Sequence, residues 1–236
     1  MQNRRIILIG GLSFIATGVL YPAVFTFLAV RFGYPGVLDG QASDVLPKLL
    51  AGGWAFRAAW AVYGLLPLLL LPAAAGAFEA LRGRFEGGMR LAHQLASLSA
   101  FALMLGLLRW SSLHWELAKL FEHADGPQRE LIGTLFLGFN TYLGNYLGEF
   151  LGEGFMHAFL LLTAVGMLKS GSFPKWMTST GIAVSILSLI GVFRNVSALA
   201  ESVQDLINMG MVFPIWLVIL GIGLFRHAGK DGNAPL

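Results

Sequence analysis

The stretch IILIGGLSFIATGVLYPAVFTFLAV, residues 6–30, contains 25 residues and no charged side chain. A helix needs about 20 largely apolar residues to cross the hydrocarbon core of a bilayer. Arg4 and Arg5 precede the stretch and Arg31 follows it. It is longer than the apolar region of a signal peptide and ends without a small-residue cleavage motif. We therefore predict an uncleaved membrane span.

The composition of the whole chain agrees with a lipid environment. Its 236 residues are 56% hydrophobic and 12% charged, whereas a soluble domain carries roughly 25% charged residues. This argues against a soluble enzyme and against a disordered chain. The net charge of +3 comes from basic residues near the ends of apolar runs, with no basic run of five, so nucleic-acid binding is excluded. Cysteine is absent, which excludes disulfides and thiolate metal sites.

Five further apolar runs follow the first. We predict one all-α integral membrane domain over residues 1–236, a helical bundle with short surface helices in its outer loops. The six predicted spans cover residues 6–30, 58–78, 91–110, 146–168, 176–193 and 206–225. The segment 131–148 could add a seventh crossing, but six spans put more of the basic residues on cytoplasmic segments, as the positive-inside rule requires. The interpretation places both termini in the cytoplasm of a bacterial cell and the chain in its cytoplasmic membrane.

The fourth span carries the most informative polar pattern. Four polar residues recur at intervals of four: Asn145, Glu149, Glu153 and His157. On an α-helix this spacing forms one slowly winding stripe. Three glycines at the same interval lie beside it: Gly144, Gly148 and Gly152. Small residues at this spacing allow a neighbouring helix to approach closely.

Carboxylates within a span cost about 2.5–3.5 kcal/mol each on insertion scales, so they normally find partners. Three arginines have the same predicted depth, at the outer ends of neighbouring spans: Arg57, Arg109 and Arg194. We expect them to form an outward-facing polar cluster with the stripe. Three interpretations stay open: a structural ion-pair network, a ligand or ion site that includes a proton relay, and a metal site at Glu153 and His157.

Motifs of recognisable chemistry are missing. No Walker, dinucleotide-binding, zinc-protease or nucleophile-elbow motif occurs. We favour a non-catalytic membrane subunit or a protein that binds a small lipophilic or anionic ligand, with no cofactor expected. The alternatives are a small proton-coupled transporter that uses the Glu/His stripe, and an intramembrane enzyme with a metal ion.

Several short segments resemble one known group of proteins. They are Phe32-Gly-Tyr-Pro-Gly-Val-Leu38, Gly106-Leu-Leu-Arg-Trp110, Tyr142-Leu-Gly-Asn-Tyr-Leu-Gly-Glu149 and Phe173-Pro-Lys-Trp176. In order and spacing the chain is similar to a family of small bacterial multi-pass membrane proteins classified as a domain of unknown function. The resemblance implies a bundle of six or seven spans, and it places Arg109 and Glu149 in segments typical of the family. It implies no activity or catalytic residue.

Overall fold

A computed structural model describes residues 2–194, 197–209 and 212–231, and all regular elements in these ranges are helical. The α-helices are α1 (Gln2–Phe32), α2 (Ala42–Ala51), α3 (Gly53–Leu65), α4 (Leu70–Leu108), α5 (Leu113–His123), α6 (Gly126–Phe139), α7 (Gly154–Ser170), α8 (Lys175–Gly191), α9 (Ala198–Met209) and α10 (Val212–Asp231). Two 3₁₀ segments (Gly36–Asp39 and Leu66–Leu69) and a π-helix (Asn140–Glu153) complete the chain. The prediction of an all-α fold is confirmed.

Four helical stretches are long and apolar enough to cross a membrane: Asn3–Phe32, Gly53–His123, Gly126–Ser170 and Val212–Gly229. They make the chain a multi-pass helical membrane protein. The second stretch has 71 residues, roughly 100 Å at the rise of an α-helix, which is too long for one crossing. The total of six spans stays a prediction. Residues 210 and 211 of the predicted span 206–225 lie outside the described residues.

Two interruptions divide that long stretch. The first is the 3₁₀ segment at Pro67, where the missing N–H of proline breaks the α-helical hydrogen-bond ladder. The second is a sharp kink inside α4 at Phe85, whose φ of −152° and ψ of 47° are not helical. Glycines flank this kink at Gly83 and Gly87. The kink falls between the predicted spans 58–78 and 91–110, where the sequence requires the chain to leave the apolar core.

Glycine contacts bring the main helices together. A methyl group on Gly10 of α1 would lie 2.6 Å from the Gly76 Cα of α4. One on Gly106 of α4 would lie 2.9 Å from the Gly148 Cα of the π-helix. No side chain fits into contacts this close, so the backbones pack directly, as small residues permit in membrane bundles. The predicted close packing of the glycine stripe is confirmed.

The core has two parts of different composition. Alanine, leucine and methionine from α4, α7 and α10, with Ile7 and Phe14 from α1, fill most of the larger part. Aromatic side chains dominate the other part, where Phe32, Trp60 and Trp110 pack edge-to-face and in a stack. We call the end of the bundle that carries this second core, with α2, α5 and α6, the aromatic end. The opposite end is the aliphatic end.

One local structure differs from the prediction. The polar stripe begins on a π-helix, Asn140–Glu153, and reaches an α-helix only at Gly154. A π-helix has i→i+5 hydrogen bonds and wider turns, and it is enriched at functional sites. Because the angle between residues spaced by four differs from that in an α-helix, the stripe does not wind as predicted.

Candidate functional site

Two carboxylates of the polar stripe meet one guanidinium group. Arg194 Nη2 lies 2.9 Å from Glu149 Oε2, and Arg194 Nη1 donates to Glu153 Oε2 at 2.8 Å. Arg194 Nη2 also donates to Glu153 Oε1 at 3.2 Å. The two Arg194–Glu153 hydrogen bonds form a bidentate pair, which fixes both side chains. We call Arg194, Glu149 and Glu153 the charge cluster, in which one positive charge faces two negative charges.

The chain brings these groups together from two elements. Glu149 and Glu153 lie on the π-helix, and Arg194 follows the last turn of α8. All three side chains are largely enclosed, with 18–21% of their surface exposed. Burial alone would lower the pKa of Arg194, but the carboxylates of Glu153 and Glu149 outweigh burial and raise this pKa above its ordinary value. The guanidinium therefore stays charged.

Arg109 has a different environment from the one predicted. It is 4% exposed, and its Nε and Nη2 donate to Asn140 Oδ1 at 3.3 and 3.0 Å. Its Nη1 donates to the Gly106 carbonyl. The Asn140 amide then donates to the Leu38 carbonyl at 2.8 Å. Arg109 thus connects α4, the π-helix and the loop before α2 through neutral acceptors, whereas the sequence analysis expected it to join the polar cluster with the stripe.

The remaining predicted residues lie apart from the charge cluster or at its edge. Arg57 is half-exposed, 3.8 Å from Glu116, and donates to the Ser111 carbonyl. Asn145 is half-buried on the π-helix. His157 is buried on α7, one turn beyond the charge cluster, with its ring 5.2 Å from that of Phe213. The structure therefore joins Glu149, Glu153 and Arg194, and leaves Arg57 outside.

The described part of the structure adds no protein ligand to the metal site predicted at Glu153 and His157. No group of three or more histidine, cysteine or acidic side chains in the described part of the chain is arranged to hold a metal ion. Both carboxylate oxygens of Glu153 accept hydrogen bonds from Arg194. The pair Glu153 and His157 therefore stays a sequence hypothesis without a third protein ligand.

A large cleft opens at the aromatic end, and the sequence did not predict it. It has a volume of about 990 Å³ and lies between α2, α5 and α6. Apolar atoms come from Pro47, Leu50 and Leu137, and charged groups from Glu122, Arg129 and Glu130. Such a volume is at the upper end of the range for small-molecule sites, about 300–1,000 Å³. Only the amphipathic pattern of α5 could have indicated this region.

Comparison with known proteins identifies a family without a known activity. No curated protein and no solved structure matches the chain. The family model does match, over nearly the whole length and including the charge cluster, Arg109 and the cleft. The resemblance in the short segments is thereby confirmed: with residues 9–225 matching the model of the domain of unknown function DUF4386, the chain belongs to this family.

Proposed function

We propose that the chain is a non-catalytic ligand-binding protein of the bacterial cytoplasmic membrane, and that the cleft between α2, α5 and α6 is its ligand site. The observation that carries this proposal is the cleft itself, about 990 Å³ with apolar and charged walls. With both termini in the cytoplasm and six spans, the aromatic end faces the periplasm. The cleft then lies at the level of the lipid headgroups, within reach of molecules in the outer leaflet.

The charges of the cleft narrow the class of ligand. Two carboxylates, Glu122 and Glu130, and one guanidinium, Arg129, line it. A purely anionic ligand would meet more repulsion than attraction there. A zwitterionic amphiphile could place its ammonium group near a glutamate, its phosphate near Arg129, and its acyl chains along Leu50 and Leu137. We therefore propose a phosphatidylethanolamine-like lipid, which revises the anionic ligand among the sequence expectations.

Two glycines of α6 provide a matched pair of variants. A methyl group on Gly133 would lie 3.6 Å from Ala42 Cβ across the cleft. Gly138, on the same helix, has no atom near the corresponding position. Gly133→Leu should fill the cleft, and Gly138→Leu should leave it open. Both changes replace a helical glycine by leucine, so their effects on helix propensity are alike.

The test is lipid retention by the delipidated protein in mild detergent, measured by native mass spectrometry with added phosphatidylethanolamine, phosphatidylglycerol or diacylglycerol. We expect one phosphatidylethanolamine per chain in the wild type and Gly138→Leu, and binding weaker by about tenfold, or 1.4 kcal/mol, in Gly133→Leu. Equal retention by the two leucine variants would overturn the proposal, as would equal binding of phosphatidylglycerol. If Gly133→Leu does not fold, Arg129→Gln must weaken phosphatidylethanolamine binding.

A further inference from the structure

Several buried polar atoms on neighbouring helices lack a hydrogen-bond partner. In the described ranges they include His157 Nδ1 on α7, Ser185 Oγ and Ser188 Oγ on α8, and Trp216 Nε1 on α10. Their residues are 4%, 1%, 1% and 2% exposed. Serines and threonines in helices commonly donate to the carbonyl four residues earlier, as Ser13 and Thr17 do here. Ser185 and Ser188 are exceptions that need a partner.

His157, Ser188 and Ser185 lie along the line of contact between α7 and α8, which we call the seam. A methyl group on Gly154 would lie 3.8 Å from Val192 Cγ1, and one on Gly181 would lie 3.1 Å from Ala164 Cβ. The two helices are therefore antiparallel, and interpolation between these contacts puts Ser188 opposite His157. Ser185 follows one turn deeper. The Trp216 ring closes the seam against Gly181.

The seam begins at the charge cluster. His157 comes four residues after Glu153 on the same helical segment, and Ser188 comes six residues before Arg194. His157 and Arg194 interact electrostatically. The unpartnered groups of His157, Ser188 and Ser185 therefore form a row that begins at the charge cluster and runs towards the membrane interior. At its start two carboxylates share one guanidinium.

Among the residues that the structure describes, Arg194 is the cation that forms salt bridges with Glu149 and Glu153. Arg109 interacts electrostatically with Glu149, but its hydrogen bonds go to Asn140 and Gly106. Among the described residues, the ionisable groups on the elements around the cluster are Tyr21 (α1), Tyr34 (loop before α2), Tyr63 (α3), Arg109 (α4) and His157 (α7).

Beyond Trp216 the seam has an apolar end. Met167 and Met177 are buried in the aliphatic core at the ends of α7 and α8. The Thr178 hydroxyl is satisfied internally, since it donates to the Lys175 carbonyl. The row of unpartnered polar atoms thus ends near Trp216, which disfavours the transporter alternative because transport needs access from both sides.

We propose that the charge cluster is a proton-binding site that is reached from the aromatic end only, and that the unpartnered polar groups of His157 and Ser188 continue from it along the seam. A hydronium ion would transfer one proton to a carboxylate oxygen of Glu149 or Glu153 and leave as water, so that one neutral acid and one Arg194–carboxylate pair remain. This site is separate from the cleft, and its test is independent of lipid binding.

The experiment is infrared difference spectroscopy of the purified protein in detergent between pH 8 and about pH 6, where an ordinary exposed glutamate stays ionised. We expect a carbonyl band from about one protonated carboxylic acid per chain in the wild type. Glu153→Gln should abolish this band, because the cluster is then neutral without a proton. Ser188→Ala and His157→Phe should shift the band, since they remove the polar groups next to the protonated acid along the seam.

Glu116→Gln is the matched control, because Glu116 is an exposed carboxylate beside Lys119 and Arg57. It should leave the band unchanged. A wild-type spectrum without the band would overturn the proposal, and so would a band that persists in both Glu153→Gln and Glu149→Gln. A melting temperature that responds to sodium chloride but not to choline chloride, without the band, would also overturn it by indicating a sodium site.

Discussion

Arg109 and Arg194 are two enclosed guanidinium groups at the aromatic end that are stabilised in opposite ways. The more deeply buried one, Arg109, contacts an amide oxygen and a backbone carbonyl. The less buried one, Arg194, contacts two carboxylates. Neutral acceptors satisfy hydrogen bonds without adding charge, whereas carboxylates add Coulomb energy but must themselves be desolvated. The comparison suggests that Arg109 fixes the architecture and that Arg194 controls the charge of the interior.

Removal of Arg194 should have the largest effect on stability. Arg194→Gln leaves Glu149 and Glu153 enclosed without their cation, and breaking such a pair costs about 3–5 kcal/mol. We expect a clearly lower melting temperature in detergent at neutral pH. The loss should shrink on acidification, because protonation removes the charge of the stranded carboxylates and favours the native state. A loss that does not change between pH 8 and pH 5 would contradict this account.

Removal of Arg109 should have a smaller effect. Arg109→Gln strands the acceptors Asn140 Oδ1 and the Gly106 carbonyl, and an unsatisfied buried acceptor costs about 1–3 kcal/mol. No carboxylate loses a direct hydrogen-bond partner, so the loss of stability should depend little on pH. The measurement is the same pair of melting curves. A pH dependence as strong as that of Arg194→Gln would mean that Arg109 also neutralises Glu149, and the contrast between the two sites would fail.

The Arg109 site can also be broken from the opposite helix. A methyl group on Gly144 would overlap the Arg109 guanidinium, so Gly144→Ala should force Arg109 away from Asn140 and cost about 1–3 kcal/mol as overpacking. Gly138→Ala is the control, because the space beside Gly138 is open and alanine there should be neutral or slightly stabilising. Thermal melting that ranks Gly138→Ala below Gly144→Ala would refute the assigned packing.

The sequence predicted the general features of this region for physical reasons. A lipid environment follows from composition alone, and glycines every four residues require a close neighbour whatever the helix type. Glu149 and Glu153 had to find a cation because charge within a membrane is costly. Those arguments need only the composition of the chain, the spacing of residues along one helix and the cost of burying charge, and the structure agrees with them.

Other features depend on contacts between helices that are distant in sequence. Three arginines had suitable depth, and only the packing of α7 against α8 selects Arg194. The π-helix from Asn140 to Glu153 has no sequence signal that distinguishes it from an α-helix. Ser185 and Ser188 were not selected because a serine in an apolar helix normally bonds to its own backbone. The cleft arises from the relative positions of three short helices, which periodicity does not give.

Substitution of Arg57 should have the smallest effect on stability, and it gives the baseline against which the Arg194 and Arg109 variants are compared. Its guanidinium lies 3.8 Å from Glu116, and both side chains are about half-exposed. Water solvates and screens such a pair, and Glu116 keeps a second cation in Lys119 at 2.7 Å. Arg57→Gln should therefore leave the melting temperature unchanged at both neutral and acidic pH. A destabilisation close to that of Arg194→Gln would show that Arg57 contributes to the interior charge balance, which would restore the three-arginine cluster that the sequence suggested.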